Sequence, residues 1–484
     1  MTGRRRQNGQ DIGRGVGDQD APPHVLVIVQ NLPVPLDRRV WLECLALISA
    51  GYEVSVICPK GPGDRSYEKL EGVHVHKYRP APEAHGLAGY ALEFGYCWIR
   101  TALLSAVVNH RARISVLQAC NPPDTYWLLA LLWRAASRGR VRFLFDHHDL
   151  NPEVFVSRFG EPSGPRGRLL LRTLLWLEHR TFRAADHVVS TNESYRAVAT
   201  GRGGVPRERT TVVRSGPDTA RMRPVCSDPT HRPSSGHLAV WLGIMGPQDG
   251  VDVVLRALQH YVHDLGRRDL HIALLGFGDS MVSLQELSQR LGVAEHVTFT
   301  GRVDLTQLTA WLSSADLALC PDPHNPLNDV STMNKTMEYM SFALPVVASD
   351  LAETRVSAGD AALYVAPGDH VALARAMALL VDDPAERERL GVAARHRAVS
   401  VLDWRPQALA YVSAFDRLTG WAGVALSEPL RDPAKRNDRR CPASPALGAI
   451  APLGALVDLR LDAELAEFAR TRKVSRRPLP TPVA

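Results

Sequence analysis

The chain has 484 residues, of which 45% are hydrophobic and 22% are charged, and its formal net charge is +6. This composition provides enough apolar residues for a core and excludes collagen, a coiled coil and a fully disordered chain. The modest basic excess comes without a zinc-finger, RNP-type or basic-zipper pattern, so nucleic acid is not expected as a partner.

Both the start of the chain and its cysteines bear on the compartment. Residues 1–22 are basic, rich in Gly and Asp, and lack the apolar stretch of a secretory signal, so we predict a disordered arm. The seven cysteines are odd in number and widely spaced, which favours a reducing, cytoplasmic location over a disulfide framework or a zinc site. The longest apolar run is about eight residues, far below the roughly 20 needed to span a bilayer.

Strands and helices alternate along residues 23–203, which we predict to form a first domain. The run from His24 to Gln30 is almost wholly apolar, as is typical of a parallel strand that is buried on both faces. Further strands are predicted at 53–58, 73–78, 114–118, 141–145 and 187–190, with helices near 40–50, 87–110, 124–137 and 166–185. This alternation indicates a doubly wound parallel sheet.

A second alternating set is predicted over residues 204–399, after a segment rich in Gly, Pro and Arg at 201–210 that we interpret as a linker. Its strands are expected at 211–214, 238–242, 270–275, 297–299, 317–320 and 344–348, with helices near 250–265, 280–291, 306–313, 332–343 and 369–399. Residues 400–420 are predicted as closing helices, and 421–484 as a basic tail rich in Pro and Ala. The predicted class is therefore α/β, with two Rossmann-like domains facing a central cleft, where the carboxyl ends of the strands hold ligands.

Several common motifs are missing. The first strand is not followed by G-x-G-x-x-G, which argues against a dinucleotide-dependent oxidoreductase. There is no G-x-x-x-x-G-K-[ST] for a P-loop ATPase and no G-x-S-x-G for a hydrolase of the nucleophile-elbow type.

A glycine-rich loop lies between the strand that ends at Leu242 and the helix that begins near Val251. Gly243, Gly246 and Gly250 would let the backbone approach a ligand, and the helix start offers free N–H groups to a phosphate. A tight turn without a ligand is the alternative reading of the same pattern.

A polar loop followed by a short helix forms the second constellation. Ser331 and Thr332 are candidate N-caps, and Lys335 lies in the first helical turn, where a cation is unfavourable unless an anion binds there. Glu338, one turn later, can accept two hydroxyl hydrogen bonds, as a ribose diol would offer. The alternative is a plain surface ion pair between Lys335 and Glu338.

The third constellation is the polar stretch from Asp146 to Glu153, at the end of a predicted strand. Adjacent residues at a strand end point in opposite directions, so His147 and His148 are not expected to bind one metal ion together. We expect instead one imidazole facing the cleft near a substrate hydroxyl.

From His24 to about Leu418, some four fifths of the chain, the order of these motifs resembles that of the retaining family-4 glycosyltransferases, which have the GT-B fold. The segment His148–Leu150 resembles the His-Asp motif of their acceptor-side domain. Further matching segments are Asp37–Val40, Gly51–Val54, Glu178–Asp186, Ser190–Glu193, Ser215–Asp218 and Gly301–Val303.

The resemblance implies binding residues and also shows two departures. The family signature is a pair of Glu residues separated by seven others; Glu338 takes the second position, which binds the nucleotide ribose, whereas Val330 takes the first, with Asp329 beside it as a candidate substitute. Relatives carry Arg and Lys where this chain has Ile244 and Asp249. We therefore expect Lys335, the helix start after Gly250 and the turn 331–335 to balance the charge of a diphosphate.

The function implied by the resemblance is transfer of a sugar from a nucleotide-diphosphate sugar to a hydroxyl of a glycan or lipid-linked acceptor, with retention, in cell-envelope or exopolysaccharide biosynthesis. His148 and Asp149 are the expected catalytic residues, with His148 orienting the donor sugar, and neither a metal nor a cofactor is expected. The helix 166–185, which carries five Arg residues, could bring the enzyme to an anionic membrane at the inner face, or it could be a core helix with solvated ends. Alternatives are a nucleotide-sugar 2-epimerase and an inactive nucleotide-sugar-binding subunit.

Overall fold

Two largely parallel sheets organise residues 21–81, 86–233 and 236–421, the part of the chain that the computed structural model describes. The expectations for residues 1–20 and 422–484, a disordered arm and a basic tail, lie outside the described residues. Within the described part the predicted class, α/β with two doubly wound sheets, is confirmed.

The first sheet has eight strands in the order β3-β4-β2-β1-β5-β6-β7-β8. All neighbouring pairs are parallel except β3 and β4, because a short antiparallel strand, not predicted, pairs with the edge. The strands are β1 (His24–Ile28), β2 (Glu53–Pro59), β3 (Tyr67–Leu70), β4 (Val73–Tyr78), β5 (Ile114–Cys120), β6 (Arg142–His147), β7 (His187–Ser190) and β8 (Thr210–Val212).

The continuous apolar run of β1 follows from burial on both sides of the sheet. Val25 and Val27 pack into the core on one face, whereas Leu26 and Ile28 pack into the core on the other. The helices of this half are α1 (Arg38–Ser49), α2 (Gly86–Arg111), α3 (Trp127–Ala136), α4 (Asn151–Phe159), α5 (Pro165–Ala184) and α6 (Glu193–Thr200). Of these, α1 covers one face, and α2, α3 and α5 contribute to the core on the opposite face.

The second sheet has six parallel strands in the order β11-β10-β9-β12-β13-β14. They are β9 (His237–Ile244), β10 (Leu270–Phe277), β11 (Val297–Gly301), β12 (Leu317–Cys320), β13 (Val346–Ser349) and β14 (Ala362–Val365). The accompanying helices are α7 (Val251–Gln259), α8 (Met281–Arg290), α9 (Leu305–Ser314), α10 (Asn334–Ser341), α11 (Ala352–Ala358), α12 (His370–Asp382), α13 (Pro384–Arg397) and α14 (Trp404–Thr419). The single helix predicted at 369–399 is in fact two, because Asp383 caps a new helix that begins with Pro384.

The border between the two halves differs from the prediction. The strand β8, which was assigned to the second set, pairs with β7 in the first sheet. The helix α14 also belongs to the first half, because its Tyr411 and Phe415 pack into the same core as α1. The chain therefore crosses from the first half to the second after β8 and returns just before α14.

One described helix reaches the length and apolar character of a membrane span. The stretch Ala91–Arg111 within α2 has a mean hydropathy of 1.3, and 22% of its most apolar window is buried. A single helix of this kind is weak support for a membrane span, since core helices pass the same criterion.

Candidate active site

A cavity of about 630 Å³ lies between the two halves, on the side where strands of both sheets end. The start of α1, the crossing segment after β8 and the starts of α9 and α10 surround it. Its lining includes Leu36, Arg38, Arg39, Ser215, Asp218, Met222, Arg302, Val303, Leu308, Asn334 and Glu338. Its size is that of a small-molecule site.

His148 follows β6, where the strand leads into α4. Its ring is 13% exposed, and its Nε2 lies 2.7 Å from Oδ2 of the fully buried Asp146. The turn is held by Asn121, whose Oδ1 accepts hydrogen bonds from the backbone N–H groups of His148 (2.7 Å) and Asp149 (3.1 Å). A side-chain amide thus fixes the direction of the imidazole relative to the sheet.

Arg39 connects this histidine to the crossing segment. Its Nε lies 3.0 Å from His148 Nε2, and its Nη2 donates to Asp146 Oδ1 at 3.1 Å. Its Nη1 donates to the carbonyl oxygen of Val213 at 2.7 Å and to Oγ of Ser215 at 3.0 Å. One guanidinium therefore holds together the start of α1, the end of β6 and the segment after β8.

The charges of this cluster are balanced inside the protein. Burial by itself would raise the pKa of Asp146, but His148 and Arg39 lower that pKa well below its usual range. Burial and the charge of Asp146 raise the pKa of Glu43 well above its usual value. The surroundings therefore favour the charged form of Asp146 beside Arg39, whereas burial and the charge of Asp146 favour the protonated form of Glu43.

The same cluster contains four side chains of the types that bind metal ions. Ligand atoms of Glu43, Cys120, Asp146 and His148 lie within 4.8 Å of one another. However, Nε of Arg39 lies 3.0 Å from Oε1 of Glu43 and equally close to the imidazole, so a fixed cation already holds the place that an ion would take. Burial also raises the pKa of the Cys120 thiol well above its ordinary value, so the thiol is a poor ligand.

The environment of Asp149 differs from that of Asp146. Burial raises the pKa of Asp149. Its backbone carbonyl accepts a hydrogen bond from the Asn121 amide at 2.6 Å, so the residue is part of the fixed turn beside His148.

The glycine-rich loop after β9 is held in place by close backbone packing and by a hydrogen bond within the loop. Gly250 has a φ of 67°, and a Cβ at this position would collide with the carbonyl oxygen of Pro321. Gly246 donates its N–H to Oδ2 of Asp249 at 3.2 Å, so the Asp249 carboxylate bonds within the loop. Gly243 is at the end of β9, paired with Gly276 of β10. The glycines allow close packing of backbone on backbone.

Lys335 has two acidic partners. Its Nζ lies 2.8 Å from Oδ1 of Asp322 and 3.5 Å from Oδ1 of Asp249, and it faces the ring of Trp241 at 5.1 Å. Although burial lowers its pKa, the charge of Asp322 raises it above the ordinary value. The cost of a cation in the first turn of α10 is thus offset by carboxylates of the protein itself.

Glu338 pairs with a residue from the opposite half. Nη1 of Arg38, the first residue of α1, lies 2.8 Å from Glu338 Oε1, and the two side chains are 51% and 14% exposed. Burial raises the pKa of Glu338, and Arg38 opposes this shift. The alternative of a surface pair between Lys335 and Glu338 is therefore wrong.

The turn before α10 contacts the first half instead of capping the helix. The helix begins after Met333, which makes no side-chain capping bond, so the prediction of Ser331 and Thr332 as N-caps is wrong. Oγ of Ser331 lies 2.9 Å from the Tyr195 hydroxyl, and Oγ1 of Thr332 accepts from Asn192 at 3.0 Å. Both hydroxyls are used in contacts between the halves.

Asp329 has a role at a helix start. Its Oδ1 accepts the backbone N–H of Ala352, the first residue of α11, at 3.0 Å, and its carbonyl oxygen accepts from Glu353 at 3.3 Å. Asp329 is not among the residues that line the cavity. Asp329 is therefore held by its hydrogen bonds to the start of α11, whereas Glu338 lies on the cavity wall.

Sequence reasoning missed Arg38, Arg39, Asn121 and Asp322 as members of the site. A local signal existed for the first two, since Asp37-Arg-Arg stands directly before an amphipathic helix and after a strand end. No local signal identifies Asn121 or Asp322, because their partners are 27 and 13 positions away along the chain.

Two family models match the chain. The model described as "Glycosyl transferase 4-like domain" matches residues 37–216, and the model described as "Glycosyl transferases group 1" matches residues 236–383. The first match spans α1 to the crossing segment, and the second spans most of the second half.

Among curated proteins, the chain is similar to the glycogen synthase of Mycobacterium tuberculosis, with 26% identity over 395 residues, covering 78% of this chain and 90% of that protein. A GDP-mannose-dependent alpha-(1-6)-phosphatidylinositol monomannoside mannosyltransferase of Mycolicibacterium smegmatis is 33% identical over 174 residues, 35% of this chain and 44% of that protein.

Solved structures share the fold. Sucrose-phosphate synthase from Thermosynechococcus elongatus superposes with a TM-score of 0.66 at 18% identity, covering 82% of this chain and 99% of that one. HepE from Anabaena in complex with UDP-glucose superposes with a TM-score of 0.61 at 15% identity, covering 81% and 99%.

Proposed function

Because this chain belongs to the family-4, group 1 glycosyltransferases and has their GT-B fold, we propose that it takes its sugar from a nucleotide-diphosphate sugar. The acceptor is a hydroxyl of a glycan or of a lipid-linked glycan, the anomeric configuration is retained, and the product serves cell-envelope or exopolysaccharide synthesis. One relative is named as GDP-mannose-dependent, and one structural neighbour holds UDP-glucose, which supports this class of donor.

The observation that carries the proposal is the position of Glu338. Its carboxylate lies on the wall of the cavity, where Met222, Val303 and Leu308 supply apolar surface. A carboxylate that accepts hydroxyl hydrogen bonds beside an apolar wall suits a nucleoside, whose ribose is a diol and whose base has two apolar faces.

The acidic residues that line the cavity bear on the route that a retaining transfer would take. Asp218 accepts the backbone N–H of Ala220 and pairs with Arg221, Asp304 caps α9, and Glu338 pairs with Arg38. Each carboxylate of the described lining thus has a local partner, which argues against a free nucleophile. We infer attack on the same face that the leaving phosphate vacates, with His148 stabilising the donor sugar.

Transfer is proposed to need neither a metal ion nor a cofactor. Arg39 already holds the centre of the one described cluster of ligand type, so the negative charge of the leaving group is met by side-chain cations and backbone N–H groups. Activity is expected to persist after treatment with EDTA.

Contact with an anionic membrane would bring a cytoplasmic enzyme close to its lipid-linked acceptor. The helix α5 exposes arginines, among them Arg166 and Arg172, and also Leu169 and Trp176. Its acidic residue, Glu178, is buried and paired with Arg202 at 2.7 Å. We include peripheral binding to an anionic bilayer in the proposal.

The test is nucleotide release from a panel of nucleotide sugars, with and without a lipid extract, after a thermal-shift screen for the donor that raises the melting temperature. A transferase releases nucleotide faster with acceptor, an epimerase turns the donor over without it, and an inactive subunit binds without turnover. His148→Ala is expected to lower turnover at least 100-fold. The matched control is His147→Leu, which changes the adjacent, fully buried ring and should keep turnover; equal effects of both variants would contradict the assignment.

A further inference from the structure

A diphosphate in this cavity needs cations, and the glycine-rich loop after β9 supplies none, because Ile244 is apolar and Asp249 is acidic. Lys335 was the expected replacement. It lies between Asp322 and Asp249, at 2.8 and 3.5 Å, so its charge is already balanced within the second half. Lys335 is also not among the described residues that line the cavity, so a cation on the cavity wall is the better candidate for the diphosphate.

Four arginines are among the described residues that line the cavity: Arg38, Arg39, Arg221 and Arg302. Arg39 is buried in the cluster with Asp146 and His148. Arg221 pairs with Asp218 at 3.4 Å, and Arg302 lies directly after β11. Arg38 differs from them because it pairs with the very carboxylate that the proposed function gives to the ribose.

We propose that Arg38 binds the donor diphosphate, after the ribose diol has displaced it from Glu338. This inference rests on the proposed function. The ribose and the α-phosphate of a nucleotide are joined through one methylene group, so a guanidinium released from Glu338 is already beside the phosphates. Its planar fork suits phosphate oxygens, and 51% exposure leaves the side chain free to turn.

The exchange keeps the charges paired in both states. Arg38 and Glu338 neutralise each other across the two halves. With the donor bound, the carboxylate accepts from the ribose hydroxyls and the guanidinium donates to the phosphate oxygens. Because Arg38 begins α1 and Glu338 lies on α10, the donor then replaces one of the contacts between the halves.

If this exchange occurs, removing Arg38 should change the affinity for nucleosides and the affinity for nucleoside diphosphates in different ways. A nucleoside must break the ion pair without offering the guanidinium a new partner, so Arg38→Ala should leave nucleoside affinity unchanged or raise it. A nucleoside diphosphate loses a charge-assisted contact of about 1.5–3 kcal/mol, which corresponds to roughly a 10- to 100-fold weaker Kd.

The experiment is calorimetric titration of the full chain with UDP, GDP, ADP and dTDP and with the four matching nucleosides. Wild type, Arg38→Ala, Arg38→Lys and the control Arg221→Ala are compared. Arg38→Ala should weaken the diphosphate that wild type binds by tenfold or more, Arg38→Lys by less, and Arg221→Ala by less than threefold. Melting temperatures check that each variant is folded.

Three results would overturn the inference. They are unchanged diphosphate affinity in Arg38→Ala, equal losses for nucleoside and diphosphate in that variant, and a larger loss in Arg221→Ala. If wild type binds none of the eight compounds, the proposed function fails first, which separates that failure from the failure of this inference.

Discussion

Two adjacent histidines at the end of β6 differ in their surroundings. The ring of His148 is 13% exposed and contacts Asp146 and Arg39, although His148 is not among the described residues that line the cavity. His147 is fully buried among Phe145, Phe182 and Tyr195, with ring centroids 5.1–5.4 Å away. Neither ring nitrogen of His147 has a hydrogen-bond partner among the described residues. Burial lowers its pKa to about 3, so this ring is neutral in the folded protein.

This neutral histidine predicts a loss of stability in acid. On unfolding, His147 regains its ordinary pKa of 6.5 and takes up a proton, so stability falls as the pH drops from about 6.5 towards 3. His147→Leu removes this dependence and should therefore lose about 1.4 kcal/mol less than wild type between pH 6 and pH 5. At pH 7 the variant is expected to be about 1 kcal/mol more stable, because two unpaired polar atoms leave the core.

Urea unfolding at pH 5, 6 and 7 measures this difference. The other buried histidines among the described residues, His24, His76 and His187, are the same in both proteins, so their contributions cancel. An identical pH dependence of the two proteins would contradict a buried, neutral His147.

The segments that cross between the sheets lie against each other. The N–H of Trp404, the first residue of α14, donates to the carbonyl oxygen of Pro217 at 3.0 Å, and Gln407 accepts from the backbone of Arg214 at 2.8 Å. Gly216 fits where a Cβ would collide with the carbonyl oxygen of Leu402. The two crossings thus form one packed junction, and α14 returns to the core of the first half.

Gly216→Ala tests this junction. The added methyl meets backbone that can only move by separating the two crossings, so we expect about 2 kcal/mol of destabilisation. Gly95→Ala, in α2, is the control: its Cβ meets nothing within 4 Å, and a helical alanine should stabilise by about 0.5–1 kcal/mol. Urea midpoints give both values, and similar midpoints for the two variants would refute the close approach at Gly216.

On the scale of the whole molecule, α2, α3 and α5 form a layer over one face of the first sheet. Trp133 donates to Ser105 at 2.9 Å between α3 and α2, and the rings of Trp127 and Trp176 meet at 6.1 Å between α3 and α5. We define the outer face of this layer by its exposed apolar residues on the three helices: Leu92, Ile99, Leu103, Val107, Leu128, Leu132, Leu169 and Trp176. If the proposed binding to an anionic bilayer occurs, this face next to the arginines of α5 is the expected contact surface.

Sedimentation with vesicles tests the outer face. The protein should bind vesicles that contain phosphatidylglycerol and bind pure phosphatidylcholine more weakly, with salt reducing the difference. Leu103→Glu with Leu132→Glu should abolish binding, whereas Arg166→Gln with Arg172→Gln should remove the preference for anionic lipid. Val282→Glu, an exposed apolar position on α8, is the control; if it weakens binding equally, the outer face is not the contact surface.

The sequence by itself determined the elements whose pattern is local: the buried parallel strands, most helices, the α/β class and the family, through motifs such as His148–Leu150. These follow from burial on both faces of a strand and from helical periodicity, which are visible over a few residues. Only the tertiary structure decided that β8 and α14 belong to the first half, that Lys335 pairs with Asp322, and that Arg38 reaches Glu338. These partners range from 13 positions apart, for Lys335 and Asp322, to hundreds apart, for Arg38 and Glu338. They leave no local pattern, because each contact depends on how separate segments pack in three dimensions.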